Sequence, residues 1–262
     1  MFIEPQPTAY DLRFNLFGFP VRVHPAFFLM PLILGSSIIR LSSNAGVGLL
    51  VLEIVFFLSI LVHELGHAVA IRHFGNNCHI VLYWLGGLAI TGDEFSSWRG
   101  ARSRSVTPRA QIIISLAGPV FGFLLAGVFA LAVIGLGGKI FVEKDGLIPI
   151  LIPEFSGTSL ADNEAVRLFF FVGLWSTIFW NVLNLVPVYP LDGGQIARQI
   201  FVINDPWDGV RKATILSMIA AIVVAVLGMS QGDRFMGIMF AFLAFESYQM
   251  LSQFGGGSGR PW

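Results

Sequence analysis

The chain has 262 residues, of which 55% are hydrophobic and 12% are charged, and its mean hydropathy is +0.76. Soluble domains are typically about one quarter charged, so this composition predicts a membrane protein. Sixteen basic and sixteen acidic residues balance, which argues against a nucleic acid or another polyanion as partner. The single cysteine, Cys78, excludes an internal disulfide and a cysteine-based zinc cluster.

The apolar pattern predicts an all-α polytopic membrane protein with about six transmembrane helices. A helix that crosses a bilayer needs roughly 20 apolar residues. The candidate spans are residues 26–41, 46–73, 110–136, 165–187, 213–229 and 235–252.

The remaining segments divide the chain around these spans. Residues 1–25 form a predicted N-terminal interfacial strand segment, because residues 12–24 partly alternate between apolar and polar side chains. No cleavable signal peptide is evident there. We expect residues 26–200 to form the core, residues 201–254 a C-terminal helical pair, and residues 255–262 a flexible glycine-rich tail.

Residues 78–92 are apolar but too short to cross the bilayer as a helix. Gly86 and Gly87 interrupt this run among side chains that favour β-strands. Irregular backbone at membrane depth persists only where protein or a wet cavity satisfies its polar groups. We therefore expect a small membrane-embedded β-hairpin that dips into the protein.

The distribution of basic residues predicts the orientation in the membrane. With a cytoplasmic N-terminus, eleven of the sixteen basic residues fall on the cytoplasmic side, four of them within residues 93–109. Cytoplasmic loops carry an excess of lysine and arginine, so this orientation is favoured, with both termini in the cytoplasm. The small size of the chain favours a prokaryotic plasma membrane.

The most informative motif is His63-Glu64-Leu65-Gly66-His67, near the end of the second apolar run. Side chains four residues apart share one face of a helix, so the two histidines can bind one zinc ion. The glutamate beside the first histidine is placed to act as a general base toward water that zinc activates. Ionisable residues inside a span are costly and mark function by default; the alternative is polar packing between helices.

A catalytic zinc site has three protein ligands and one open position. No third histidine fits well, because His24 precedes Pro25 at the membrane entrance and His73 and His79 lie at or past the end of the second span. Among the carboxylates in apolar regions, Asp192 is a better third ligand than Glu53 or Glu246. Two prolines break the chain before Asp192, and two glycines allow a turn after it, so its carboxylate can be aimed back toward His63 and His67.

Two motifs together closely resemble the site-2 protease family of intramembrane zinc metalloproteases. One is the histidine motif, and the other is Asn-Leu-Val-Pro-Val-Tyr-Pro-Leu-Asp-Gly-Gly at residues 184–194. Weaker similarities lie at residues 12–25, at Gly86-Gly87 and at residues 117–119 (Ala-Gly-Pro). The resemblance covers about residues 12–200, and it implies that residues 26–200 are the intramembrane metalloprotease core.

The resemblance implies an intramembrane zinc endopeptidase with one Zn2+ per chain. It assigns the zinc ligands to His63, His67 and Asp192, and the general base to Glu64. The reaction implied is hydrolysis of peptide bonds in or near transmembrane segments of membrane-tethered proteins, such as anti-sigma factors or remnant signal peptides.

The resemblance also implies how a substrate is held. Asn184 would position the substrate or stabilise the oxyanion, and Gly86 and Gly87 would lie in the membrane-embedded hairpin. We expect that this hairpin receives the unwound substrate by adding a strand. The partners would be transmembrane protein substrates and membrane lipids. A helix–helix hydrogen bond is the alternative role for Asn184.

Two other functions remain open from the residues themselves. A metal or ion transporter could use the same histidine and aspartate ligands at a broken helix. An inactive scaffold could bind membrane helices without cutting them. Glu64 discriminates between these possibilities, because hydrolysis needs a base beside the first ligand and transport does not.

Overall fold

A computed structural model describes residues 4–39, 42–92, 106–143 and 150–255 of the protein. Most of the predicted basic loop at 93–109 and nearly all of the predicted tail at 255–262 lie outside these ranges. The helices are α1 (Leu29–Ile39), α2 (Ala45–His73), α3 (Pro108–Gly135), α4 (Glu164–Asn184), α5 (Asp192–Asn204), α6 (Gly209–Ser230) and α7 (Arg234–Gly255). The strands are β1 (Leu12–Leu16), β2 (Phe19–Val23), β3 (Cys78–Tyr83), β4 (Gly86–Thr91), β5 (Lys139–Glu143) and β6 (Ile150–Glu154).

Within the part of the chain that the structure describes, five helices are long and apolar enough to cross a membrane, namely α2, α3, α4, α6 and α7. Together with the small sheets, they confirm the predicted fold class of a helical polytopic membrane protein. The first predicted span, residues 26–41, instead holds a 3-10 turn at Pro25–Phe28 and the 11-residue α1. At about 1.5 Å per residue, α1 is too short for a hydrocarbon core about 30 Å thick.

A four-stranded sheet in the order β1-β2-β3-β4 contains both segments for which strands were predicted. β1 and β2 form an antiparallel hairpin, β3 joins β2 in parallel, and β4 joins β3 antiparallel. The hairpin predicted within residues 78–92 is therefore present as β3 and β4. All six residues of β3 are buried, whereas β4 forms an edge of the sheet.

Among the described elements, two strands and one helix were not predicted from the sequence. β5 and β6 pair as a second antiparallel hairpin, in a region that carries no apolar run long enough for a span. The short helix α5 begins at Asp192, where the sequence was expected to turn. None of the three is a membrane span, so the apolar pattern gave no signal for them.

The chain divides into two compact units, each described here by itself. The first takes in the described residues of Ile3–Arg104 together with Ala117–Val182. It contains the four-stranded sheet, helix α2 and a core cluster of Phe129, Val133, Phe155, Phe170 and Leu174. The second takes in the described residues of Ser105–Leu116 and Leu183–Trp262, and in it α6 packs against both α5 and α7.

Candidate metal centre

Helix α2 places both histidines and the glutamate of the sequence motif inside the protein. His63, Glu64 and His67 are all buried. The Nε2 atoms of His63 and His67 lie 3.1 Å apart, and their rings meet edge to face. The spacing of four residues along a helix therefore brings two imidazole nitrogens to one point, as the sequence predicts.

Helix α3 packs closely against α2 at this level, and its Gly118 lies against both imidazole rings. A Cβ atom on Gly66 would lie 2.4 Å from the carbonyl oxygen of Ala117, so the two backbones nearly touch. A Cβ atom on Gly118 would lie 2.3 Å from Nε2 of His67 and 2.9 Å from Nε2 of His63. Gly118 therefore keeps side-chain atoms out of the volume that the two imidazoles face.

The hairpin strand β4 passes directly beside Glu64. A Cβ atom on Gly87 would lie 2.2 Å from Cγ of Glu64 and 2.6 Å from its Oε1. One on Gly86 would lie 2.7 Å from Cζ2 of Trp180. The two glycines thus let the strand backbone approach Glu64 and Trp180 more closely than any other residue type would.

Asp192 is buried and is the first residue of α5. The expectation that Gly193 and Gly194 form a turn after it was wrong, because both lie in the first turn of this helix. They are needed for packing instead. A Cβ atom on Gly193 would lie 2.1 Å from the carbonyl oxygen of Leu185, and one on Gly194 would lie 2.3 Å from the amide nitrogen of Tyr189.

The predicted ligands form a group that could hold a metal ion. The ligand atoms offered by His63, His67 and Asp192 all lie within 4.8 Å of one another, and all three residues are buried. Two imidazole nitrogens and one carboxylate oxygen are a donor set that catalytic zinc sites use. The residues present therefore fit zinc by the chemistry of their donors and by the space that Gly118 keeps open.

The other histidines have structural contacts or lie exposed. His24 accepts a hydrogen bond from the amide of Ala26 at the start of the 3-10 turn. His79 is buried, and its ring nitrogens lie 3.1 Å from the Gly92 carbonyl oxygen and 3.3 Å from Oε1 of Glu4. His73 is exposed. Among the described residues, none of these three belongs to the metal-binding group.

The structure adds one residue that the sequence reasoning did not single out. Oδ1 of Asn181 lies 2.8 Å from Nδ1 of His63. Asn181 is fully buried on α4, three residues before Asn184, which is itself buried at the end of this helix. A buried amide inside an apolar span was a possible signal, but its partner lies 118 residues earlier in the chain.

Comparisons with known proteins show which family the chain is similar to. The model of peptidase family M50 matches residues 51–229. A zinc metalloprotease of Methanocaldococcus jannaschii is 25% identical over 194 residues, which are 73% of this chain and 45% of that protein. Rip3 of Mycobacterium tuberculosis is 27% identical over 199 residues, which are 73% of this chain and 42% of that protein.

A solved structure agrees with the fold. The site-2 protease from Methanocaldococcus jannaschii has a TM-score of 0.53 and 23% sequence identity, with 92% of this chain and 95% of that chain covered. This chain spans less than half the length of the curated relatives it matches. Because the family match includes the histidine motif and Asp192 and covers more than half of the sequence, the chain belongs to peptidase family M50.

Proposed function

We propose that the protein is an intramembrane zinc endopeptidase that hydrolyses peptide bonds in or near transmembrane segments of membrane-tethered proteins. The observation that carries this proposal is the buried group of His63, His67 and Asp192, with Glu64 next to the first histidine in a helix long and apolar enough to cross a membrane.

In this proposal, the three ligands hold one zinc ion per chain. Zinc, when bound, supplies a Lewis acid that activates water and polarises the scissile carbonyl. Glu64 accepts a proton from the attacking water and passes it to the leaving amine, which is general acid–base catalysis by a single carboxylate. The position of Glu64 next to the ligand His63, and its burial with both histidines, support this role.

Asn184 is proposed to stabilise the oxyanion or to position the substrate. An amide N–H directed at developing negative charge lowers the barrier for acyl transfer. Its burial at the end of α4, eight residues before Asp192, supports a place near the reacting groups. A side-chain amide that only joins helices would, when replaced, lower the stability of the protein without a selective loss of kcat.

The free edge of β4 is proposed to receive the substrate. The scissile segment must leave its helix before a peptide bond can react, and its exposed backbone groups then need partners. An extended peptide adds to a sheet edge through main-chain hydrogen bonds. Strand β4 is such an edge, and its Gly87 approaches Glu64, so a peptide bound there would lie beside the proposed base.

The proposed setting follows from the spans and the relatives. The five apolar helices among the described residues make this a multi-pass membrane protein, and its relatives come from archaea and bacteria. We propose a prokaryotic plasma membrane with both termini in the cytoplasm. The substrates would be single-pass membrane proteins, including tethered regulators and remnant signal peptides.

The test is a cleavage assay on a panel of transmembrane substrates in detergent or liposomes, with wild type compared with Glu64→Gln. We expect cleavage by the wild type, none above background by Glu64→Gln, and equal zinc content in both. Full cleavage by Glu64→Gln would refute the mechanism. Zinc bound by a protein that cleaves no substrate, but moves metal ions across liposomes, would support the transporter instead.

A further inference from the structure

We propose that Asn181 is a positioning residue that fixes the orientation and tautomer of His63, so that Nε2 of this histidine is the atom offered to the metal. This inference rests on the proposed metal site and extends it to a residue outside the ligand set. Its evidence lies within the first compact unit, on helices α2, α3 and α4.

The contact itself is short and buried. Oδ1 of Asn181 lies 2.8 Å from Nδ1 of His63, and the exposed fraction of these residues is 0% and 2%. A hydrogen bond that water does not compete for is stronger than one at the surface, and leaving either partner unsatisfied is costly. The pair therefore holds the His63 ring in one orientation.

A second bond fixes which way the Asn181 amide faces. Nδ2 of Asn181 donates to the carbonyl oxygen of Thr177, one turn earlier on α4, at 2.5 Å. A carbonyl oxygen accepts and never donates, so the NH2 group must face Thr177. The amide oxygen is then the atom that faces His63.

The tautomer of His63 follows from that orientation. An amide oxygen only accepts hydrogen bonds, so the proton of the His63 ring must be on Nδ1. The lone pair is then on Nε2, which faces Nε2 of His67 at 3.1 Å. Such partners of metal-binding histidines set the ring orientation and raise the affinity for the ion.

A third helix makes room for this arrangement. A Cβ atom on Gly122 of α3 would lie 2.0 Å from Nδ2 of Asn181 and 2.2 Å from its Oδ1. One turn earlier, Gly118 keeps the space in front of the Nε2 atoms open. The two glycines of α3 thus make room on both sides of the His63 ring. Gly118 lies at the nitrogen that faces the metal site, and Gly122 lies at the Asn181 amide that orients the ring.

Zinc affinity measured by chelator competition on the full-length protein in detergent tests this role without relying on activity. The variants are Asn181→Leu, which removes the acceptor, and Asn181→Asp, which keeps an acceptor oxygen. The matched control is Ser176→Ala, which removes another buried polar group of α4 that lies 3.3 Å from Ser59 and not against a ligand.

We expect zinc affinity about 10- to 100-fold weaker in Asn181→Leu, and affinity at or above that of the wild type in Asn181→Asp. Ser176→Ala should bind zinc as the wild type does. Equal affinity in Asn181→Leu and wild type would overturn the proposal. An equal loss of zinc affinity in Asn181→Asp or in Ser176→Ala would also overturn it, because the loss would then come from a general disturbance of packing.

A spectroscopic measurement on the wild type keeps the proposal testable if a variant fails to fold. In zinc-loaded protein with 15N-labelled histidine, we expect a slowly exchanging proton on Nδ1 of His63; coordination through Nδ1 would overturn the proposal. The outcome is independent of the proposed protease function. Wild type that binds zinc but cleaves nothing refutes the protease, whereas unchanged affinity in Asn181→Leu refutes only the role of Asn181.

Discussion

Gly118 lies against the imidazole of His67, at a distance where a Cβ atom would be 2.3 Å from Nε2. Any side chain at this position on α3 has to displace the ring or the helix. The space in front of the two histidines therefore depends on a residue that contributes no ligand atom.

Gly118→Ala should abolish stoichiometric zinc binding, because the added methyl group occupies the position that the Nε2 atoms face. The measurement is zinc per chain after purification, together with the thermal unfolding midpoint. Gly127→Ala is the matched control, since it lies on the same helix with no atom within 4 Å of its Cβ position. Normal zinc content in Gly118→Ala would show that the ion does not occupy this space.

Gly87→Ala should impair catalysis while leaving zinc in place. Its methyl group would lie 2.2 Å from Cγ of Glu64, so the carboxylate must move away from its present position. General base catalysis contributes about 10²- to 10⁴-fold, and we expect a loss of at least about 100-fold in kcat/KM. Unchanged kcat/KM would mean that Glu64 does not need the position it has in this structure.

The edge of β4 offers a test of substrate binding by strand addition. The amide of Gly92 donates to the carbonyl oxygen of Asn77, and bonded and non-bonded pairs alternate along an antiparallel ladder. Counting from the hydrogen-bonded pair of Asn77 and Gly92, Ala89 and Ile80 are a non-hydrogen-bonded pair. The amide of Ala89 therefore points away from β3, toward the outer edge of the sheet. A proline there removes an outward donor without breaking the hairpin.

Ala89→Pro should therefore lower kcat/KM about fivefold, which corresponds to about 1 kcal/mol for one lost main-chain hydrogen bond, and should leave zinc content unchanged. Ala89→Ser keeps the amide and is the control. Equal cleavage by both variants would argue that substrates do not add to β4 at this residue.

A buried ion pair near the N-terminus predicts a pH dependence of stability. Arg22 is buried on β2 and donates to Oδ2 of Asp11 at 3.1 Å and to Oε1 of Glu4 at 2.6 Å. Burial alone would raise the pKa of Asp11, but hydrogen bonds from Thr8 and the charge and hydrogen bond of Arg22 outweigh it and lower this pKa to about 2.

Because the pKa of Asp11 is lower in the folded state, its ionised form stabilises the protein at all pH values above the ordinary value of 3.8. This contribution is lost as the pH falls from about 4 to about 2. Asp11→Asn should lower the unfolding midpoint at neutral pH and flatten its pH dependence in that window. The control is Asp162→Asn, at an exposed position. If the unfolding midpoint of Asp11→Asn changed with pH as steeply in this window as that of the wild type, the stabilising role of ionised Asp11 would be contradicted.

The parts of the fold that could be predicted are those that local pattern determines. The 29-residue helix α2 is apolar throughout, so both the helix and the shared face of His63 and His67 follow from the sequence. Gly86 and Gly87 within a short apolar run sufficed to predict the β3–β4 hairpin. The shortness of α1 was harder to predict, because apolar composition alone does not fix where a helix ends.

The parts that could not be predicted depend on contacts between distant residues. Gly193 and Gly194 suggested a turn, but they are glycines because α5 packs against the backbone of residues 185–189. The pairing of Asn181 with His63 joins residues 118 positions apart. Neither relationship leaves a periodic pattern in the chain, so only the folded structure reveals them.

We propose that Asp192 completes a zinc site with His63 and His67, while Glu64 acts as the base and not as a ligand. The most direct measurement is bound zinc per chain in purified Asp192→Ala and Glu64→Gln, measured beside the wild type. We expect about one zinc per chain in wild type and Glu64→Gln, and a strong loss of zinc in Asp192→Ala. Full zinc content in Asp192→Ala, or loss of zinc in Glu64→Gln, would contradict it.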